Sequence, residues 1–356
     1  MYKLIVRSFI IVFWLAIIAG VLYFPALSKI DQKTINIFTW GDLLEPAVIK
    51  EFEEKTGIKI HLNYYTSNEE LMVKMKATKG KGYDLIIPSD YAVNILSKEN
   101  LLKPIDKSKL TFWHTIQPYL LDLPYDPNNT YSIPFMWEIF VLGLDKNYFK
   151  DVNYEPSWKM IFDRSTIDYK ISMINDPIEG VQFASYYLYG NVDHLTPSQL
   201  QEVKALLIEQ SSWVTAYSDS RGDYFLVTKN CPVIISESNY VQKAMQMFDY
   251  IEMAVPKEGS FVSIENLCIP SDSKKEEIIY KLINFMYERE SMIKQIKGHT
   301  LLPVVNPDLV DLDLNEPTKK LLKSGQSEFK KNHFFFPLAS EQEIRDIWLE
   351  VKFRGD

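Results

Sequence analysis

Carboxylates are the groups best able to do chemistry in this chain, with 47 Asp and Glu against 39 Lys and Arg and only 5 His. Such side chains either move protons at a reacting bond or stand as fixed partners for a bound cation. The patterns that announce catalysis are missing. His61, His114, His194, His299 and His333 are dispersed, without the H-E-x-x-H spacing of a metal site. There is no G-x-S-x-G elbow and no Walker loop, and Gly80-x-Gly82 lacks the third glycine of a dinucleotide fingerprint. No spacing singles out a glycosidase-type acid pair. The expectation is a protein with no catalytic residue, no cofactor and no metal. Polar and acidic residues instead gather just past strand-like runs, in Phe38-Thr39-Trp40-Gly41-Asp42, Ile87-Pro88-Ser89-Asp90-Tyr91 and Asn175-Asp176-Pro177-Ile178-Glu179, with Val255 to Gly259 leading on to Glu265. In an open α/β sheet, ligands bind outside the carboxyl ends of the strands.

The elements that must hold these loops alternate along the chain. Thr34 to Trp40 alternates apolar and polar residues and predicts a strand. Pro46 suits a first helical turn, Val48, Ile49 and Phe52 share a face, and Gly57 supplies the stop. Ile58 to Tyr64 predicts a second strand, Glu69 to Thr78 a helix, Asp84 to Pro88 a short buried strand and Tyr91 to Lys98 another helix. Strand, helix, strand, helix, strand predicts an α/β lobe with a largely parallel sheet. A second α/β lobe is expected from Phe140 to Leu144 onward, with strands at Ile171–Ile174 and Pro232–Ser236 and helices from Val181 and Ser198. A strand at Asn266–Pro270 and a helix from Lys275 to Glu288 follow. No repeat or flexible linker separates the lobes, which predicts packed lobes with several chain crossings.

Composition narrows the class. At 356 residues, 46% hydrophobic and 24% charged, the chain is neither disordered nor a multi-span membrane protein, and its length suits two lobes. A net charge of −8 speaks against nucleic acid as a partner. Lys3 and Arg7 precede an uncharged apolar run from Phe9 to Phe24 and the small-residue exit Pro25-Ala26-Leu27-Ser28, as in a secretory signal peptide cleaved after Ser28. The run approaches the ~20 residues that span a bilayer, so an uncleaved anchor is the rival reading. Both export the bulk of the chain. In that compartment a disulfide between Cys231 and Cys268 is chemically allowed, although the apolar setting of Cys268 also suits a buried thiol.

The collinear segments Phe52-x-x-Lys55-Thr56-Gly57-Ile58-Lys59, Ser67-Asn68-Glu69, Tyr83 to Ser89, Ile105 to Leu110 and Asp126-Pro127-Asn128-Asn129 to Ser132-Ile133-Pro134 carry a resemblance. In order and spacing they resemble the periplasmic spermidine/putrescine-binding proteins of polyamine ABC importers. Similarity thins between Asp151 and Ile235 and returns from Pro256 to Phe285. The resemblance implies an α/β, two-lobe, type II periplasmic binding protein, each lobe a mostly parallel sheet flanked by helices, closing over a ligand. It places residues 1–28 as the signal, 33–138 plus 263–310 as lobe 1, and 139–262 plus 311–356 as lobe 2. It implies a monomer that captures a polyamine in the periplasm and delivers it to an inner-membrane ABC permease. The alternatives are a receptor for another cationic or small solute, or an exported carboxylate-dependent hydrolase.

Carried over residue by residue, the resemblance puts Trp40 and Tyr91 on the aromatic walls and Ser89 at a polar contact. Asp176 and Glu179 would hold one terminal ammonium, Asp42 the other, and Glu265 an inner or adjacent amine. Glu237 adds a fifth carboxylate, and Asp90 is a further candidate or else a solvent-facing acid. The family's aromatics are absent at Leu43, Ile235, Ser263 and Leu302, so the acids persist where walls are lost. Polyamines need both: carboxylates to replace the water around each ammonium, and apolar or aromatic surface for the methylenes.

Overall fold

The computed structural model describes residues 33–165, 168–218, 221–306 and 333–355, together with 7, 10–18, 316, 319 and 322. The signal and its exit fall largely outside the described residues. Residues 10–18 are helical with their large apolar side chains exposed. No described helix is long and apolar enough to cross a membrane.

Alternation builds the first sheet. In β1 (Thr34–Trp40), Ile35, Ile37 and Phe38 turn into the core. It lies between β2 (Lys59–Tyr65) and β3 (Leu85–Ile86), and both pairings are parallel. The intervening helices are α1 (Pro46–Thr56), α2 (Asn68–Thr78) and α3 (Asp90–Lys98). Helix α1 starts on Pro46, buries Val48, Ile49 and Phe52, and stops at Gly57, whose φ of 68° needs a residue without Cβ strain. The strand expected over Asp84–Pro88 shortens to two residues, and Pro88, which has no N–H, cannot extend its ladder; Ile86 and Ser89 also form antiparallel bridges to Cys268 and Glu265 from the far end of the chain.

Strand β4 (Ile133–Asp145) has thirteen residues, all buried. It begins well before Phe140, where a second lobe was expected to open. The remaining strands are β5 (Ile171–Ile174), β6 (Val214–Ser218), β7 (Val233–Glu237), β8 (Ile251–Ala254), β9 (Phe261–Leu267), β10 (Leu302–Pro303) and β11 (His333–Phe334). Between and after them come α4 (Lys159–Phe162), α5 (Pro177–Tyr189), α6 (Pro197–Ser211), α7 (Asp223–Val227), α8 (Ser238–Met247), α9 (Glu276–Met286), α10 (Arg289–His299) and α11 (Glu341–Gly355). The second sheet runs β11-β9-β4-β7-β5-β6, with β8 and β10 also on β4.

Partners divide β4 in two. Residues 133–139 pair with β9, and Met136 and Trp137 also with β10; residues 140–145 pair with β7 and β8. All four pairings are antiparallel, so this sheet is mixed, with parallel pairs confined to β5–β6, β5–β7 and β9–β11. Through the bridges at Ile86 and Ser89, β9 also borders the first sheet. One strand therefore belongs to both halves of the molecule.

Several predicted boundaries move by a few residues. The strand expected at Asn266–Pro270 is β9, ending at Leu267. The helix expected from Val181 begins at Pro177, since Asp176 caps it with hydrogen bonds from the Ile178 and Glu179 amides. Helix α6 starts with a capping box formed by Thr196 and Gln199. Helix α11 packs on α5 and α6. Cys231 and Cys268 are free, buried thiols, so the allowed disulfide does not form.

Candidate functional site

Loop ends of β1, β3, β5, β7 and β9 converge where the two halves meet, and two cavities open there. The larger, about 780 Å³ counting space open to solvent, is lined by Trp40, Asp42, Glu138, Glu237, Tyr240 and Glu265, among others, and by no lysine or arginine. The second, about 570 Å³ counted the same way, is lined by Tyr91, Asp176, Glu69, Lys76 and Arg345 with apolar neighbours.

Glu265, near the end of β9, accepts hydrogen bonds from three side chains. Trp40 Nε1 donates to its Oε2 at 2.8 Å, Ser89 Oγ to its Oε1 at 2.7 Å, and Ser263 Oγ to the same oxygen at 3.4 Å. Ser89 precedes α3 without capping it, since its hydroxyl is directed at Glu265. Asn68 fixes that hydroxyl, donating from Nδ2 to Ser89 Oγ at 3.0 Å. Burial pushes the Glu265 carboxyl up to about 7 despite these three donors. Glu237, at the end of β7, rises to about 8, through burial first and then the charge of Glu265. Asp42 is exposed at the mouth of the larger cavity.

At the other end, Asp176 does two jobs. Its Oδ1 caps α5, and its Oδ2 accepts from the Tyr91 hydroxyl at 2.6 Å. Burial still raises its carboxyl above the ordinary range. Tyr91 is fully packed away, so it serves here as a hydrogen-bonding clasp between α3 and α5 more than as an open wall. Glu179 is buried and held well above the usual range by burial, then by Asp176, Glu237, Asp90 and Glu265. Glu179 and Ser89 line neither cavity, so the eight expected site residues do not all open onto one space.

Asp90 corrects an expectation. It does not face solvent: it is 0% exposed, accepts from the Tyr91 amide at 2.6 Å and from the Ile264 amide at 3.4 Å, and is pushed well up by burial.

The residue the sequence reading passed over is Glu138 of β4, which lines the larger cavity and is 4% exposed. A signal was there. Glu138 is the one charged side chain inside the apolar run Ile133 to Leu144, and a buried charge in a strand needs a partner. Its carboxyl is held well above the ordinary range by burial, then by Glu237 and Glu265.

On the wall of the second cavity, Arg345 of α11 meets Glu69 of α2 at 3.1 Å, and Lys76 of α2 meets Glu341 of α11 at 3.3 Å. These pairs and the Tyr91–Asp176 bond hold the two halves together around the acidic space. Among the described residues, no group of three His, Cys, Asp or Glu is arranged to hold a metal ion.

Residues 47–321 match the model of the bacterial extracellular solute-binding protein. The spermidine/putrescine-binding periplasmic protein of Salmonella typhimurium is 31% identical over 280 residues, covering 78% of each chain. Its Escherichia coli counterpart is 30% identical over 308 residues, covering 83% of this chain and 86% of that protein. The fold is shared with the solved spermidine/putrescine ABC transporter substrate-binding protein PotD of Streptococcus pneumoniae, with a TM-score of 0.74 at 23% identity, covering 91% of this chain and 100% of that one.

Proposed function

The chain belongs to the bacterial extracellular solute-binding protein family, and from that premise we propose that it binds a polyamine of the spermidine/putrescine class outside the cytoplasmic membrane and delivers it to an ABC permease. The observation that carries this reading is the larger cavity, lined by Asp42, Glu138, Glu237 and Glu265 with no lysine or arginine among its lining residues. Glu138, Glu237 and Glu265 are short of water there, and burial drives them toward the neutral form. An ammonium entering it supplies N–H donors and the missing positive charge together, and the carboxylates replace its hydration. Trp40 and Tyr240 provide aromatic surface, worth ~0.5–2 kcal/mol per cation contact. An anion receptor would line this space with cationic side chains instead.

In this reading Asp176 and Glu179 receive one terminal ammonium, Glu237 and Glu265 the other end, and Asp42 draws the ligand in at the mouth. The lobes are 33–138 plus 263–310 and 139–262 plus 311–356. The protein works as an exported monomer, through a signal that is cleaved after residue 28 or kept as an anchor. It returns its ligand unchanged, and closure of the lobes is what the permease reads.

A thermal-shift panel of putrescine, spermidine, spermine, basic amino acids and common anions tests this. A true ligand at ~100 times its Kd adds ~2.7 kcal/mol of stability. D176N and E265Q should each weaken binding by more than tenfold, because each leaves an ammonium underpaired in a dry cleft. A shift produced by anions and by no amine would overturn the reading.

A further inference from the structure

The register of β4 brings three glutamates to one face. Glu138 lies opposite Ser263 of β9, Met136 opposite Glu265, and Phe140 opposite Glu237 of β7. Directly opposed residues share a face, and those two positions along are diagonal neighbours. Glu138 therefore has Glu265 diagonal to it on one side and Glu237 diagonal on the other, at the point where β4 changes partners. All three line the same cavity.

Glu138 is 96% buried, and its Oε2 has no hydrogen-bond partner among the described residues. A desolvated carboxylate oxygen without a donor is costly to the fold and does nothing for it. Ser263, directly opposite, is small and spends its hydroxyl on Glu265. The Asn239 backbone amide and the charge of Lys243 favour the ionised form of Glu138, but less than burial, Glu237 and Glu265 oppose it. The three carboxylates are not grouped closely enough to hold a metal ion. An ammonium needs a wider arrangement, with N···O distances of ~2.7–2.9 Å radiating from a nitrogen.

We infer that Glu138 is a ligand-binding residue, and that Glu138, Glu237 and Glu265 form one three-carboxylate seat for a terminal primary ammonium. A primary ammonium has three N–H donors, one for each carboxylate. A secondary ammonium has two and leaves one oxygen bare. Because the acceptors come from β4, β7 and β9, an amine seated here bonds to strands on both sides of the partner change in β4. The inference deepens the amine-receptor reading and rests on it.

Calorimetric titration of putrescine into wild type, E138Q, E265Q, E138Q/E265Q and E138Q/D176N tests the seat. E138Q should weaken binding at least tenfold. Adding E265Q should cost at least threefold less than the product of the single losses, because the seat acts as a unit. Adding D176N, at the opposite end, should give the full product. E138D keeps the charge but withdraws the oxygens by one methylene, and should also lose at least tenfold even if E138Q folds poorly. Wild-type affinity in a folded E138Q or E138D, or full additivity of E138Q with E265Q, overturns the seat while the receptor reading stands. A wild-type protein that binds no amine overturns both.

Discussion

Without ligand, this protein should lose stability as pH rises from 6.5 to 8.5, and the size of the loss follows from two carboxyls. Glu265 stands at about 7 and Glu237 at about 8, against an ordinary glutamate value of 4.5. A carboxyl whose folded pKa lies above its unfolded one binds more protons folded than unfolded, so it stabilises the fold at low pH. That contribution declines once pH passes the unfolded value and is gone above the folded one. Between pH 6.5 and 8.5 the two groups together surrender roughly 2–3 kcal/mol. For a chain of this size that is about 4 °C in Tm. Glu138, Glu179 and Asp90, pushed up chiefly by burial, act in the same direction. The window begins at pH 6.5 because burial holds His299 and His333 below the ordinary histidine value, so their opposing effect belongs to more acid solution. The assay is a set of calorimetric melts in buffers of matched ionic strength, on wild type and on E237Q/E265Q. The wild-type Tm should fall and the double variant should fall less. Saturating amine should reverse the trend, since it keeps the carboxylates ionised and paired. A wild-type Tm that stays level or climbs across the window, or a slope unchanged in the double variant, refutes the reasoning.

Three other outcomes are expected. W40F deletes the indole donor 2.8 Å from Glu265, so amine affinity should fall about tenfold with little change in Tm, and unaltered calorimetric affinity would show that this bond does not prepare the carboxylate. G180A places a methyl group against the ring of Trp348, so α11 should loosen from α5 and cost about 1–3 kcal/mol in a denaturant titration; an unchanged midpoint would contradict the packing. K76A/R345A removes partly exposed ion pairs between α2 and α11, each worth under ~1 kcal/mol, so the double variant should open more readily by fluorescence energy transfer at low salt and match wild type at high salt.

Local patterning made much of the fold legible. The alternation in Thr34–Trp40 and the Pro46-to-Gly57 punctuation mark elements whose order depends on near neighbours, and they stand where expected. The bridges from Ile86 and Ser89 to Cys268 and Glu265 were not legible, because those partners are remote in sequence and no periodicity reports them. Strand β4 was read only from Phe140 because Pro134 and Trp137 blur the alternation, and a strand buried on both faces has none to show. At the site, acids on loops were visible because loop ends are where α/β sheets bind ligands. Asp90 and Glu138 were harder. The burial of one and the unpartnered oxygen of the other depend on β9 folding back beside α3 and β4, a juxtaposition that exists only in three dimensions.

The undivided run of β4 has a consequence for anyone cutting or rebuilding this chain. Severing the backbone inside Ile133–Asp145 would not liberate an autonomous fragment, because the same stretch closes hydrogen-bond ladders with β9 and β10 at one end and with β7 and β8 at the other. Fragments expressed apart would each display a raw strand margin, which recruits foreign strands and ends in precipitate. Reporter domains or new termini belong on outlying turns such as the one after Tyr189, where Gly190 already bends the chain at the surface.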